Sequence, residues 1–365
     1  MSADDLNRRS SCNAPEFTCP LPDVGGERIW MAHGGGGRFM HRLLAEEILP
    51  ATVYVGESGH GPASLHDAAR IVSDGAQLAF TTDSYVVRPL FFPGGDIGRL
   101  AVYGTVNDLA MAGARPRYLS CALILEEGLE ITVLRHVLNS IRLAAAHVGV
   151  HVLTGDTKVV ERGHGDGIYI NTAGIGIIEH ELTIAPDAIQ PGDAIILSGD
   201  IGRHGIAVMS AREGFEFETA IESDCAPLHS AVAALLDAGL DVHCMRDLTR
   251  GGLAQAVLEL NEQRNLSAEL QEDSIPISSP VRAACQVLGY DPLYLANEGR
   301  FIAIVPPDAA ERTMHTLRAL SEPGYEQATL IGHFASMSGP VTIRTPLGSR
   351  RVLDMLSGEQ LPRIC

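Results

Sequence analysis

From Ile29 onward, apolar residues recur at helical spacing in some stretches and as short β-rich runs in others, and the alternation is played through twice. Residues 29–32 read as a short strand, then come Gly34–Gly37 and a helical run through Phe39, Leu43, Leu44 and Ile48. Residues 78–87 form a β-rich run. A helix is predicted through Ile97, Leu100, Ala101, Gly104, Leu109 and Ala110, closed by Gly113 at C′. A strand over 118–125 precedes a helix from about Thr132 to His147, stopped by Gly149, and strands follow at 150–153 and 168–178. The second half begins at Pro191-Gly192-Asp193. It has strands at 194–197, 301–305 and 328–334, helices ending near Arg212 and over 228–238, 253–261, 280–288 and 309–320, and a closing hairpin near Pro346-Leu347-Gly348. Each half reads as a mixed sheet with helices on one side, an α+β architecture. The predicted organisation is a flexible arm at 1–28, an N-terminal domain at 29–180, a C-terminal domain at 181–355 and a mobile tail at 356–365.

The pattern is broken at four places by polar residues in apolar company: Asp83, Asn107-Asp108, Asp156 with Lys158, and Asn297-Glu298. Taken singly, each reads as a capped turn or a buried salt bridge. An Asp inside a buried strand is costly unless something pairs with it, and a metal ion would serve. Carboxylate and amide oxygens are hard ligands suited to Mg²⁺, and a lysine beside them can bind a phosphate oxygen or hold a neighbouring glutamate ionised. Two glycine loops, Gly34–Gly37 and Gly199–Gly205, each lead into a helix, where backbone N–H groups can face phosphate; a plain tight turn is the other reading. Together the clusters and loops point to a nucleotide-phosphate site. The chain also stops on a cysteine, Cys365, after a short Pro- and Gly-punctuated tail.

Charge and composition narrow the choices. The 365 residues carry a net charge of −18 and a pI near 5.1, which argues against a nucleic-acid or anionic-membrane partner. An acidic enzyme handling a polyanion needs metal ions to bridge the two. No run approaches the length of a membrane helix and the N-terminus lacks a signal-peptide core, so a cytoplasmic location is expected. Seven cysteines without a C-x-x-C pair fit reduced thiols better than disulfides or a zinc site. There is no G-x-x-x-x-G-K-[ST] and no G-x-S-x-G, which excludes a P-loop enzyme and an α/β-hydrolase.

From about Ile29 to Cys365 the chain resembles the HypE family of hydrogenase maturation proteins, within the superfamily of aminoimidazole ribonucleotide (AIR) synthetase and selenophosphate synthetase. The resemblance rests on His33–Gly37, 81–87, Phe91–Gly98, Gly104–Ala110, Gly155–Val160, Arg246–Gly252, Asn297-Glu298-Gly299 and, most specifically, Pro362-Arg363-Ile364-Cys365. It implies a two-domain AIR synthetase-like (PurM-like) fold whose N-terminal domains pair their sheets in a homodimer. It implies ATP bound with Mg²⁺, with Asp83, Asp108 and Asp156 as metal ligands and Gly35, Gly36, Asn107 and Asn297 beside the nucleotide. Many superfamily members have Asp-Asp where this chain has His66-Asp67, so Asp67 is left out of that set. The implied activity is an ATP-dependent carbamoyl dehydratase. A HypF-type carbamoyltransferase loads Cys365, dehydration gives a thiocyanate, and the cyanide passes to iron on a HypC–HypD complex. In this scheme Cys365 is the carrier, Glu298 the base, and Lys158 keeps Glu298 ionised or touches phosphate. Two other readings remain at this stage: a synthetase of the same superfamily acting on a free small molecule, and a non-catalytic scaffold presenting Cys365.

Overall fold

In the computed structural model, which describes residues 28–52, 65–215, 219–335, 337–357, 361 and 363–365, the two halves of the pattern become two sheets. Most of the expected arm, and Pro362 of the terminal motif, lie outside the described residues. Residues 31–34 form a 3₁₀ turn rather than the expected strand, and short helices α1 (Arg38–Leu43) and α2 (Leu49–Thr52) follow with a π-turn between them. The first sheet contains β1 (Ala69–Ser73), β2 (Ala76–Tyr85), β5 (Arg115–Glu126), β6 (His151–Val160) and β7 (Ile168–Ile177). Its order is β1-β2-β7-β5-β6. All pairs are antiparallel except β5–β6, whose parallel pairing requires a crossover. That crossover is α4 (Ile131–Val148).

A small hairpin of β3 (Phe91–Phe92) and β4 (Gly95–Asp96) leads into α3 (Ile97–Met111). Asp96 caps α3, its Oδ1 accepting from the N–H groups of Gly98 at 2.9 Å and Arg99 at 3.1 Å. α3 is buried almost all round because it packs on β2 and β7 on one side and reaches residues 244–247 and 229–237 of the second half on the other. Among the described residues, no helix lies on the opposite face of the first sheet. Phe80, Ile175 and Tyr118 form a cross-strand row there, each 40–45% exposed.

The second sheet has the order β14-β13-β10-β12-β8-β11-β9. It comprises β8 (Ala194–Leu197), β9 (Cys244–Asp247), β10 (Ser267–Gln271), β11 (Phe301–Val305), β12 (Thr329–Ala335), β13 (Val341–Arg344) and β14 (Arg350–Val352). Its helices are α5 (Arg203–Glu213), α6 (His229–Asp237), α7 (Gly252–Arg264), α8 (Ser279–Leu288) and α9 (Ala310–Arg318). One face, with Ile195, Leu197, Ile302 and Ile304, packs on Leu253, Val257 and Leu260 of α7. The other, with Ala194, Ile196, Phe301 and Ala303, packs on Val232 and Leu235 of α6 and Leu317 of α9. Helices on one side therefore describes the first sheet, while the central strands of the second are covered on both, which is why β11 is buried at every position.

Residues 31–365 pack as one compact unit, and a shared core explains it. Ile97 and Leu100 of α3 join Ile206 of α5, Val281 of α8 and Leu295, together with Leu361 and Ile364 from the chain's end. β6 continues through residues 154–158, where a loop after a short strand was expected. β1 was not foreseen because it is exposed at every position and shows no apolar alternation.

Candidate active site

A cavity of about 580 Å³ opens between the two sheets, a volume usual for a small-molecule site. One wall is apolar, built by Met40, Leu44, Ala45, Leu49 and Leu65. The other is ionic. Asp83 comes from β2, Asp108 from α3, Arg246 and Asp247 from β9, Glu259 and Glu262 from α7, and Glu298 from the turn before β11. Gly36 and Cys365 line it as well. The structure thus gathers Asp83, Asp108, Glu298, Gly36 and Cys365 from five separate parts of the sequence.

Each acidic group is held by its own element. Thr81 Oγ1 donates to Asp108 Oδ2 at 2.8 Å, tying β2 to α3. Burial raises Asp108 well above the ordinary carboxylate range, and Asp247, Asp83 and Asp67 push it further up. Glu298 is likewise raised well above its usual value, first by burial and then by Asp247, Asp224 and Asp83. Its Oε1 is buried with no hydrogen-bond partner. The turn that carries it is fixed by Asp224, whose carboxylate accepts from the backbone N–H of Glu298 and, at 3.2 Å, of Gly299. Gly299 is required, since a Cβ there would meet the Asp224 carbonyl oxygen at 1.9 Å.

Sequence reasoning did not single out a second network on the same ionic wall. Arg246 pairs through Nε with Asp67 Oδ1 at 3.0 Å and through Nη2 with Glu259. Glu259 Oε1 also meets His41 Nε2 at 2.9 Å and accepts from Gln255 at 2.8 Å. The bond to Glu259 raises the His41 pKa against the effect of burial. Burial raises Asp67 to about 8, although Arg246 beside it pulls the other way. Asp67, left out of the expected ligand set, therefore lines the cavity and keeps a buried, unpartnered Oδ2. Asp247 could have been suspected from its polar place in an apolar strand. His41 and Glu259, 218 residues apart, gave no local signal.

Five expected residues lie elsewhere. Asn107 is buried, with Oδ1 accepting from Leu228 N at 2.8 Å and Nδ2 donating to Ala226 O at 3.1 Å. Asn297 accepts from Gly202 N at 2.7 Å and donates to the carbonyls of Leu248 and Leu295. Both amides are occupied in pinning loops, and neither lines the cavity. Asp156 and Lys158 pair with each other at 2.7 Å on exposed β6. Register explains their distance from the site: Asp83 opposes Thr172, which opposes Cys121, which opposes Gly155. Asp156 and Lys158 are one and three residues further on, so they point to the uncovered face. Gly35 lines a small neighbouring cavity with Arg250, Leu361 and Ile364. Gly36, at φ +75°, abuts Arg250, whose Cβ would be 3.1 Å from any Cβ added there.

The end of the chain is docked. Val86 N donates to Cys365 O at 3.1 Å and Arg88 N to Arg363 O at 3.3 Å, so the last residues extend alongside the strand end after β2. Arg212 Nη2 donates to Arg363 O, and the Arg363 guanidinium pairs with Asp166. Leu361 and Ile364 are 7% and 4% exposed. Cys365 thus lines the same cavity as Asp83, Asp108 and Glu298.

The fold and the acidic cavity between its sheets define an AIR synthase-related protein. Profiles described as AIR synthase related protein, N-terminal domain and C-terminal domain, match residues 65–178 and 190–339. The chain belongs to the HypE family. It is 47% identical over 344 residues to the carbamoyl dehydratase HypE of Azotobacter vinelandii, covering 94% of this chain and 99% of that one. A solved HypE–HypF complex contains a chain 40% identical with a TM-score of 0.79, covering 86% of this chain and 99% of its own. A solved HypE in complex with ATP is 45% identical with a TM-score of 0.76, covering 93% and 100%.

Proposed function

We propose that the chain is an ATP-dependent carbamoyl dehydratase whose substrate is carried on its own Cys365. The observation that carries this reading is the docked C-terminus, which brings Cys365 into the same cavity as Asp83, Asp108 and Glu298. A synthetase acting on a free small molecule would have no use for a cysteine there.

ATP fits the cavity's two walls, with the base against Met40, Leu44 and Leu49 and the phosphates toward the carboxylates and Gly36. Seven acidic side chains line the cavity with Arg246, Arg250 and His41, and crowding with burial pushes Asp67, Asp108 and Glu298 toward the neutral form, so a polyphosphate would need cations that return them to the charged form. Among the described residues, no three His, Cys, Asp or Glu side chains converge tightly enough to hold a metal alone. Mg²⁺ is commonly bound by one or two carboxylates and completed by phosphate oxygens and water. Asp83 and Asp108 would hold it there, and the bound ion would supply charge neutralisation as the phosphoryl group moves.

The chemistry follows from the thiocarbamate, S–C(=O)–NH₂. Its oxygen is a poor leaving group until it takes the γ-phosphoryl of ATP, after which it departs as phosphate. The nitrogen must lose both protons for the S–C≡N triple bond to form. Glu298, buried and with one oxygen unpartnered, is the base aimed at this task.

The same reading includes a homodimer. The row Phe80, Ile175 and Tyr118 is an apolar strip on a sheet face with no covering layer, and pairing two such faces would bury it. Asp156 and Lys158 project from that face, so pairing would draw them into an interface, where Lys158 could reach phosphate or a carboxylate of the partner subunit's site. The donor would be a HypF-type carbamoyltransferase, as the solved HypE–HypF complex suggests for a relative. The acceptor would be iron on a HypC–HypD complex, and the work would be cytoplasmic; no helix among the described residues is long and apolar enough to cross a membrane. The test is Cys365→Ala, which should leave the fold and ATP binding intact and give no product; residual cyanation activity would defeat the proposal.

A further inference from the structure

The proposed chemistry leaves two features unused: the glycine turn at 199–205 and the Phe91–Gly95 hairpin. They meet on one imidazole, that of His204, which is fully buried. Its Nε2 lies 2.9 Å from the carbonyl oxygen of Ile364, and its Nδ1 lies 2.8 Å from Ser223 Oγ. We infer that His204 is a positioning residue for the reaction, holding the carbonyl one residue before the carrier cysteine so that the Cys365 thiol stays in the cavity.

The hydrogen-bond directions follow from the groups themselves. A carbonyl oxygen can only accept, so Nε2 carries the proton and donates to Ile364. Nδ1 then accepts from the Ser223 hydroxyl, whose oxygen in turn accepts from Cys225 N at 3.0 Å. Burial lowers the His204 pKa, in keeping with a neutral ring that has one donor and one acceptor nitrogen.

Ser223 is itself set in place by the first half of the chain. Its N–H donates to Pro93 O at 2.9 Å. Gly94, at φ +85°, lies so close that an added Cβ would meet Ser223 N at 2.7 Å. Phe92 packs edge-on against the imidazole, with ring centroids 5.4 Å apart.

A histidine serving only its own turn would bond within that turn. Here the two ring partners are 19 and 160 residues away, and one of them is the chain's last peptide group. A backbone carbonyl is also an apt point of recognition. It reports where the chain is, whatever the cysteine carries, and with the Val86-to-Cys365 bond it fixes the final two residues at two points. The inference rests on Cys365 being the carrier, but the test below reads docking without the reaction.

The experiment uses the full-length protein without nucleotide. The rate of Cys365 alkylation by iodoacetamide is followed from the mass of the C-terminal peptide in wild type, His204→Phe, His204→Gln and Ser223→Ala. Loss of a buried hydrogen bond is expected to raise the rate about tenfold in His204→Phe. His204→Gln, which keeps a donor for the carbonyl, should stay within about twofold of wild type. Ser223→Ala should fall between the two. Equal rates in wild type and His204→Phe, or equal acceleration in the Phe and Gln variants, would overturn the inference. If His204→Phe does not fold, Ser223→Ala against His204→Gln decides, with equal rates counting against it. A wild-type protein whose Cys365 never takes up a carbamoyl group, while His204→Phe still exposes the thiol, would remove the carrier reading and leave the docking contact standing.

Discussion

Replacing Ile364 by Ala should uncouple the chain's end from the cavity while leaving the rest of the fold in place. Ile364 is 4% exposed and packs in the core shared by both halves, with Ile206, Val281 and Leu295. The substitution removes three carbons from that core, at about 0.8 kcal/mol each, or about 2.4 kcal/mol in all. A factor of ten corresponds to about 1.4 kcal/mol, so the docking equilibrium should weaken about 50-fold. Because the end can leave before the domains unfold, the loss should appear chiefly as undocking, with little change in melting temperature. Two measurements separate these outcomes: the alkylation rate of Cys365, expected to rise by up to that factor, and the thermal midpoint by calorimetry. A midpoint lowered by several degrees with an unchanged alkylation rate would refute the reasoning, since Ile364 would then be an ordinary core residue with no independent docking step.

Further outcomes follow from the same geometry. Glu298→Gln should lower single-turnover dehydration by at least about 100-fold with ATP affinity retained, and should flatten the rise of rate with pH that a base of raised pKa imposes on wild type; an unchanged profile would assign the proton transfer elsewhere. Asp67 is raised from 3.8 to about 8 in the folded chain, so the native state holds a proton that the unfolded state has lost across that window. Stability without ligand should therefore fall as pH rises from about 4 to 8, and Mg²⁺ with ATP should reverse part of the fall; urea midpoints against pH would measure both. Ile175→Glu places a charge in the centre of the uncovered apolar row. It should turn the proposed dimer into monomer in sedimentation experiments and abolish turnover, whereas an unaltered mass would mean that this sheet face is not the interface.

The sequence carried the central strands and helices well because they have a strong period. β8 and β11 fall at the residues expected, and α4 ends at Gly149, which sits at φ +72° as a C′ glycine should. β1 and β6 were missed or shortened because edge strands exposed along their length have no apolar alternation to read. The polar interruptions at Asp83, Asp108 and Glu298 converge on one cavity in the fold. Those at Asn107 and Asn297 stand outside the cavity lining and tie loops together, a second use of a buried amide that spacing cannot tell from ligand binding. Asp156 and Lys158 stand away from the cavity for a reason of register, which sequence shows only once the strand pairing is known. His204 and Ser223 form a contact between distant turns and the last peptide, and no local pattern announces it.

The most direct test is the intact mass of the purified protein, incubated with a HypF-type carbamoyltransferase and its carbamoyl donor, with and without ATP and Mg²⁺. The expected result is one carbamoyl group on the peptide ending in Cys365, followed by loss of one water only when ATP and Mg²⁺ are both present. A carbamoyl adduct that ATP never alters would contradict the account and leave a carrier without dehydratase activity.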